Sequence, residues 1–137
     1  MKYVIASMVV ILVVGLAIVL LSNIYFPRID ARYATRGYVR YHYGGKDIDA
    51  QVDNDDLAVL KDILAGRSYR DSPSCGFDAD VSIRLTDGRK SVVLCPACDT
   101  CPKIRIGDSD RYISISKEQR ERLDALLARY GMVFPCM

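Results

Sequence analysis

The sequence predicts an α+β protein: one N-terminal transmembrane helix, then a small domain of antiparallel β-hairpins with two packed helices. Three observations predict it. Residues Tyr3 to Phe26 carry no charge. Beyond them, short stretches alternate apolar and polar residues and break at Gly-Gly or Asp-Gly, the signature of paired strands. Two further segments repeat apolar residues at intervals of three and four behind a capping residue, which is the period of a helix with one buried face.

The uncharged run YVIASMVVILVVGLAIVLLSNIYF would form a rod of roughly 36 Å at about 1.5 Å per residue, enough to cross a hydrocarbon core of about 30 Å. It outlasts the roughly 7 to 15 residues of a signal-peptide core, and Ile24, Tyr25 and Phe26 extend it past Ser22 and Asn23. The expectation is an uncleaved signal anchor over residues 1–27, with Tyr3, Tyr25 and Tyr33 as candidate interfacial anchors. Residues 28–34 then read as a juxtamembrane linker, and 35–137 as an extracytoplasmic α+β domain.

Within that domain, alternation runs from Tyr33 to Tyr43, with Val39, Tyr41 and Tyr43 on one face and Tyr38, Arg40 and His42 on the other. Gly44 and Gly45 turn the chain, and Ile48, Ala50 and Val52 return it. Asp53 or Asn54 caps a helix whose Leu57, Leu60, Ile63 and Leu64 share a face, and Gly66 closes it. Residues 67–78, RSYRDSPSCGFD, read as a loop. Val81, Ile83 and Leu85 start a hairpin that reverses at Asp87-Gly88 and runs back to Cys95. After CPACDTCP, Lys103–Ile106 and Tyr112–Ile115 form another hairpin around GDSD. Ser116 with Gln119 makes a capping box. The helix that follows, Lys117 to Tyr130, buries Leu123, Leu126, Leu127 and Tyr130, and Gly131 stops it. Val133 and Phe134 fold the tail, with Cys136, back onto the body.

Two of these hairpin-helix units align at constant spacing. Tyr41, Tyr43, Gly44, Val52, Asp53, Leu60, Ile63 and Leu64 fall opposite Ile104, Ile106, Gly107, Ile115, Ser116, Leu123, Leu126 and Leu127. Neither unit can bury its apolar face alone, so the two are expected to stack.

With 19 basic and 17 acidic residues the net charge is +2, too weak a field to imply nucleic acid. The expected partners are the membrane and a protein of unknown identity. Arg28, Arg32, Arg36 and Arg40 follow the span closely and would touch lipid headgroups. By the positive-inside rule they favour a cytoplasmic domain. Five cysteines favour an oxidising compartment, and the extracytoplasmic side is the reading adopted.

Chemistry, if any, rests on Cys75, Cys95, Cys98, Cys101 and Cys136. The leading reading is structural disulfides among Cys75, Cys98, Cys101 and Cys136. Cys95, at the end of a strand, is left over, and sequence does not fix the connectivity. An alternative is zinc held by Cys95, Cys98 and Cys101 with Cys75 or Cys136 as fourth ligand, in a cytoplasmic domain. A thiol-disulfide redox pair, Cys95 with Cys98 or Cys98 with Cys101, is the third. It would need a lowered thiol pKa at a helix start, and Pro102 leaves such a helix no length.

No catalytic residue is assigned. His42, the single histidine, reads as a rim residue of a strand. Asp47, Asp49, Asp53, Asp55 and Asp56 lack the glycine and terminal Glu of a calcium loop. Tyr33, Tyr38, Tyr41 and Tyr43, interleaved with Arg36 and Arg40, form a candidate recognition face.

SCGF at Ser74 to Phe77, CDTCP at Cys98 to Pro102 and YGMVFPC at Tyr130 to Cys136 resemble small bacterial envelope proteins of uncharacterised function. In these a cysteine-containing domain follows an N-terminal hydrophobic segment. The resemblance spans roughly the second half of the chain and implies an extracytoplasmic location. It brings no activity, cofactor or catalytic residue, and Cys95 is additional to its pattern. The function expected is a non-catalytic binding or interaction module.

Overall fold

The computed structural model describes residues 2–78 and 80–133. Its first element, α1 (Lys2–Tyr25), is a continuous helix whose apolar residues from Ile5 onward stand open along their length. It is long and apolar enough to cross a membrane, a test that an N-terminal signal sequence also meets.

Eleven residues on, the chain enters a seven-stranded antiparallel sheet. β2 (Arg36–Tyr43) and β3 (Lys46–Gln51) form its first hairpin, after the short β1 (Arg28–Ile29). α2 (Asn54–Ile63), β4 (Gly66–Arg67) and β5 (Tyr69–Arg70) follow. β6 (Val81–Thr86) and β7 (Ser91–Pro96) make the central hairpin. β8 (Lys103–Ile106), β9 (Arg111–Ser114) and α3 (Lys117–Arg129) complete the chain order. The strands lie β3-β2-β6-β7-β8-β9-β5, and β1 pairs separately with β4.

The core forms between one face of the sheet and the two domain helices. Val39, Tyr41, Ile83, Leu85, Leu94, Ile104 and Ile113 meet Leu57, Leu60, Ile63, Leu123, Leu126 and Leu127 there. The hairpin-helix alignment holds in space. β2-β3-α2 and β8-β9-α3 flank the central hairpin on either side, with Leu60, Ile63 and Leu64 buried as their counterparts Leu123, Leu126 and Leu127 are. Both hairpins turn on a left-handed glycine, Gly44 at φ 61° and Gly107 at φ 53°, a conformation open to glycine at no steric cost. Asp53 caps α2 through the Asp56 amide at 2.8 Å. The capping box of α3 is closed by both of its bonds, 3.1 Å to Ser116 Oγ and 2.9 Å to Gln119 Oε1.

Four boundaries differ from expectation. β2 starts at Arg36 rather than Tyr33, because Ala31 to Ala34 make a turn closed at 3.1 Å that drives both alanines into the core. The supposed linker is therefore packed, and Ile29 pairs with Gly66. Gly66 does not close α2, which ends at a Leu64 cap; it lies in β4, where an added Cβ would stand 2.7 Å from Ile113 Cγ2. The segment 67–78 is not all loop, since Tyr69 and Arg70 pair with Tyr112 and Arg111. The carbonyl of Val133 accepts the Tyr41 hydroxyl, so the tail does return to the body; Phe134 and Cys136 lie outside the described residues.

Candidate functional site

Strand parity divides the sheet's residues between a helix-covered face and an outer one. On the outer face stand Asp49, Tyr38, Arg40, Ser82, Arg84, Val93, Cys95, Arg105, Tyr112 and Tyr69, as the cross-strand partnerships require. This face has two halves of different character.

Over the β7-β8-β9 half lies a flap, residues 71–78. Its root is tied by the Asp71 amide to the Asp110 carbonyl at 3.1 Å and by a 2.5 Å ion pair between Asp71 and Lys103. The middle is fastened covalently: Cys75 and Cys101 form a disulfide with Cα atoms 6.1 Å apart. Beyond it the Gly76 carbonyl accepts the Cys98 amide at 2.8 Å. Phe77 bridges to Ala97 and packs at a tilt against Tyr112, ring centroids 5.3 Å apart, with the Arg105 guanidinium 5.6 Å from its ring.

The flap explains Cys95. Val93, two residues earlier on the same face, is 37 % exposed, whereas Cys95 is 2 % exposed and keeps a free thiol directed at the Gly107 carbonyl 3.9 Å away. Burial pushes this thiol's pKa up, against the opposing pull of Arg105. That is the reverse of the lowered pKa an attacking cysteine needs. Cys95 also ends a strand with no helix start beside it.

The cysteine loop is anchored from below by Arg120, a guanidinium 4 % exposed. It donates to the Ala97 carbonyl at 2.8 Å, the Cys101 carbonyl at 2.7 Å and the Asp124 carboxylate at 2.8 Å. These bonds satisfy a cation that would otherwise be costly to bury. Burial nonetheless holds the Asp124 carboxyl above its usual value. Arg120 was missed from sequence because it is charged, although the helical period sets it on the same face as Leu123 and Leu127.

The structure thus unites Cys75 with Cys101, places Cys98 in the buried floor of the same loop, and sets Cys95 apart under the flap. Cys136 lies outside the described residues. Among those described, the potential ligands that converge are Cys75, Asp99 and Cys101, within 4.8 Å of one another. Cys95, which the zinc reading used, is not among them. In the oxidised form Cys75 and Cys101 have no thiolate to offer a metal. The pairing of Cys101 with Cys75 likewise takes it out of the Cys98-Cys101 redox pair.

The other half of the outer face is open. Tyr38, Arg40, Asp49, Ser82, Arg84 and Val93 line a shallow groove of about 280 Å³. Arg84 lies 4.6 Å over the Tyr38 ring, and Arg40 reaches Asp49 at 3.4 Å. The tyrosine face expected from sequence is only partly assembled. Tyr38 and Arg40 are here, but Tyr41 is in the core, Tyr33 packs against the core and Arg36 stands at the Gly88 turn. His42 lies at the rim beside Asp47. Arg84, Ser82 and Val93 were missed, because alternation gives a residue's face but not which strand lies next door. No protein-family model, curated protein or solved structure matches the chain.

Proposed function

We propose that this chain is a membrane-anchored, extracytoplasmic interaction module, non-catalytic, that receives a protein partner on the open half of its sheet. The observation that carries the proposal is the Cys75–Cys101 disulfide. It closes a flap over one half of the outer face and leaves the groove of Tyr38, Arg40, Arg84 and Val93 uncovered. An aromatic ring carrying a stacked guanidinium, with an apolar neighbour, has the composition of an interface centre.

The same bond supports the extracytoplasmic side, since disulfides persist in oxidising compartments and are rare in reducing ones. The arginines after α1 argue for the other side, but Arg32 and Arg40 are paired with Asp30 and Asp49. The covalent link is given the greater weight. The raised thiol of Cys95 supports a role without redox turnover.

A topology reporter fused after Met137, with thiol counting before and after reduction and metal analysis, tests the proposal. It expects the carboxyl end outside, newly accessible thiols only after reduction, and no stoichiometric zinc. A cytoplasmic carboxyl end with all thiols reactive at once, or with one zinc per chain, would overturn it.

A further inference from the structure

Where α1 ends, the fold gathers four arginines from three separate stretches of the sequence. Arg28 and Arg67 are direct cross-strand partners in the β1-β4 pair, and Arg70 and Arg111 are direct partners between β5 and β9. Like charges placed opposite each other repel, and here the arrangement occurs twice at one end of the molecule. Among the described residues, one carboxylate comes within ion-pair distance of any of the four: Asp110, 3.6 Å from Arg70. Asp30, the next acid, is held by Arg32 through two bonds of 2.9 and 3.0 Å.

The arginines are set against the end of the apolar helix. Arg67 donates to Ser22 Oγ at 2.5 Å. Arg111 donates to Ser68 Oγ at 3.3 Å, and that hydroxyl donates to the Pro27 carbonyl at 2.8 Å. Ile24, Tyr25 and Phe26 form one wall of a crevice of about 490 Å³, and Arg70 and Arg111 form the other. One wall suits an acyl chain, and the other suits an anion.

We propose that this crevice binds an anionic phospholipid, with Arg70 and Arg111, supported by Arg28 and Arg67, holding the phosphate. The upper acyl chain lies along Ile24, Tyr25 and Phe26. The proposal rests on the membrane-anchor reading of α1 but not on its sidedness. Guanidinium groups match phosphate oxygens two at a time. Tyrosine and arginine at the end of a span sit at headgroup depth. An anionic rather than zwitterionic lipid is required by the charge balance. Among the described residues the four arginines have one aspartate within ion-pair distance, and a zwitterionic headgroup brings a cation of its own.

The test uses the full chain reconstituted in phosphatidylcholine vesicles with and without phosphatidylglycerol, and counts lipid retained after detergent extraction by native mass spectrometry. Selective retention of phosphatidylglycerol is expected. R70Q/R111Q lowers it roughly fivefold for each arginine removed, while R70K/R111K keeps most of it, and R40Q/R84Q, on the open sheet face, leaves it unchanged. Equal retention of both lipids, or a preference that survives R70Q/R111Q, overturns the inference while the anchor stands. A chain that fails to float with either vesicle overturns the anchor reading and the inference together. Displacement of phosphatidylglycerol by millimolar glycerol phosphate overturns the lipid and leaves a site for free phosphate.

Discussion

The burial of Cys95 is set by its neighbours in space rather than in sequence, so its reactivity should report the state of the flap. In the oxidised protein a maleimide should label Cys95 slowly. After reduction of Cys75–Cys101, labelling should rise by an order of magnitude or more, read by peptide mass mapping. Equal rates in both forms would show that something other than the flap covers the thiol. Asp71 is the flap's electrostatic tether. The Lys103 ammonium holds its carboxyl below the usual 3.8, and Lys103 is raised in return. A depressed carboxylate stabilises the fold above its unfolded pKa and loses that contribution as pH falls through the lower, folded value. Asp71→Asn should therefore lower the melting temperature at neutral pH. The gap from wild type should close as pH drops below about 3.8, checked by calorimetry across that range. The sequence offered Cys75 as a staple and Cys95 as the thiol left over. Which cysteine joins Cys75 depended on a loop path that residue types do not encode.

At the scale of elements, the hairpins and domain helices were legible because each carries a period, a turn glycine and a cap. Ser116 with Gln119, and Gly44 with Gly107, are local signals that the tertiary structure reinforces. β4 and β5 were not legible: two residues have no period, and their pairing is fixed by partners about forty residues away in the chain. Gly37 and Gly66 were misjudged or passed over for a related reason. They serve close packing rather than a turn. A Cβ on Gly37 would meet Val52 Cγ2 at 2.7 Å and Leu57 Cδ1 at 3.2 Å, where β2 passes beneath α2. Gly37→Ala should cost about 1 to 3 kcal/mol, the usual penalty for overpacking. Gly76→Ala, with nothing within 4 Å, serves as the control. Equal denaturant midpoints for the two variants would contradict this packing.

For the whole molecule, α+β architecture and the apolar leader could be read in advance, whereas the division of the outer face into a covered and an open half could not. That division depends on the strand order β3-β2-β6-β7-β8-β9-β5, which places the central hairpin between two units contiguous in sequence. The disulfide closes a loop of 26 residues, worth about 3 to 4 kcal/mol in the chain-entropy account. Cys75→Ser/Cys101→Ser should lose about that much in chemical unfolding of the full chain, while the core strands keep their amide protection. A loss spread evenly through the sheet would mean that the flap is part of the core and not a cover upon it.

The two ends of that strand order carry a last consequence. β5 offers only two residues to a newcomer, and β3 presents Lys46, Asp47 and Asp49 along its free margin. Neither margin is a good template for another chain's backbone. Copies crowded together at high local density would thus be kept from zipping sheet to sheet into fibrils.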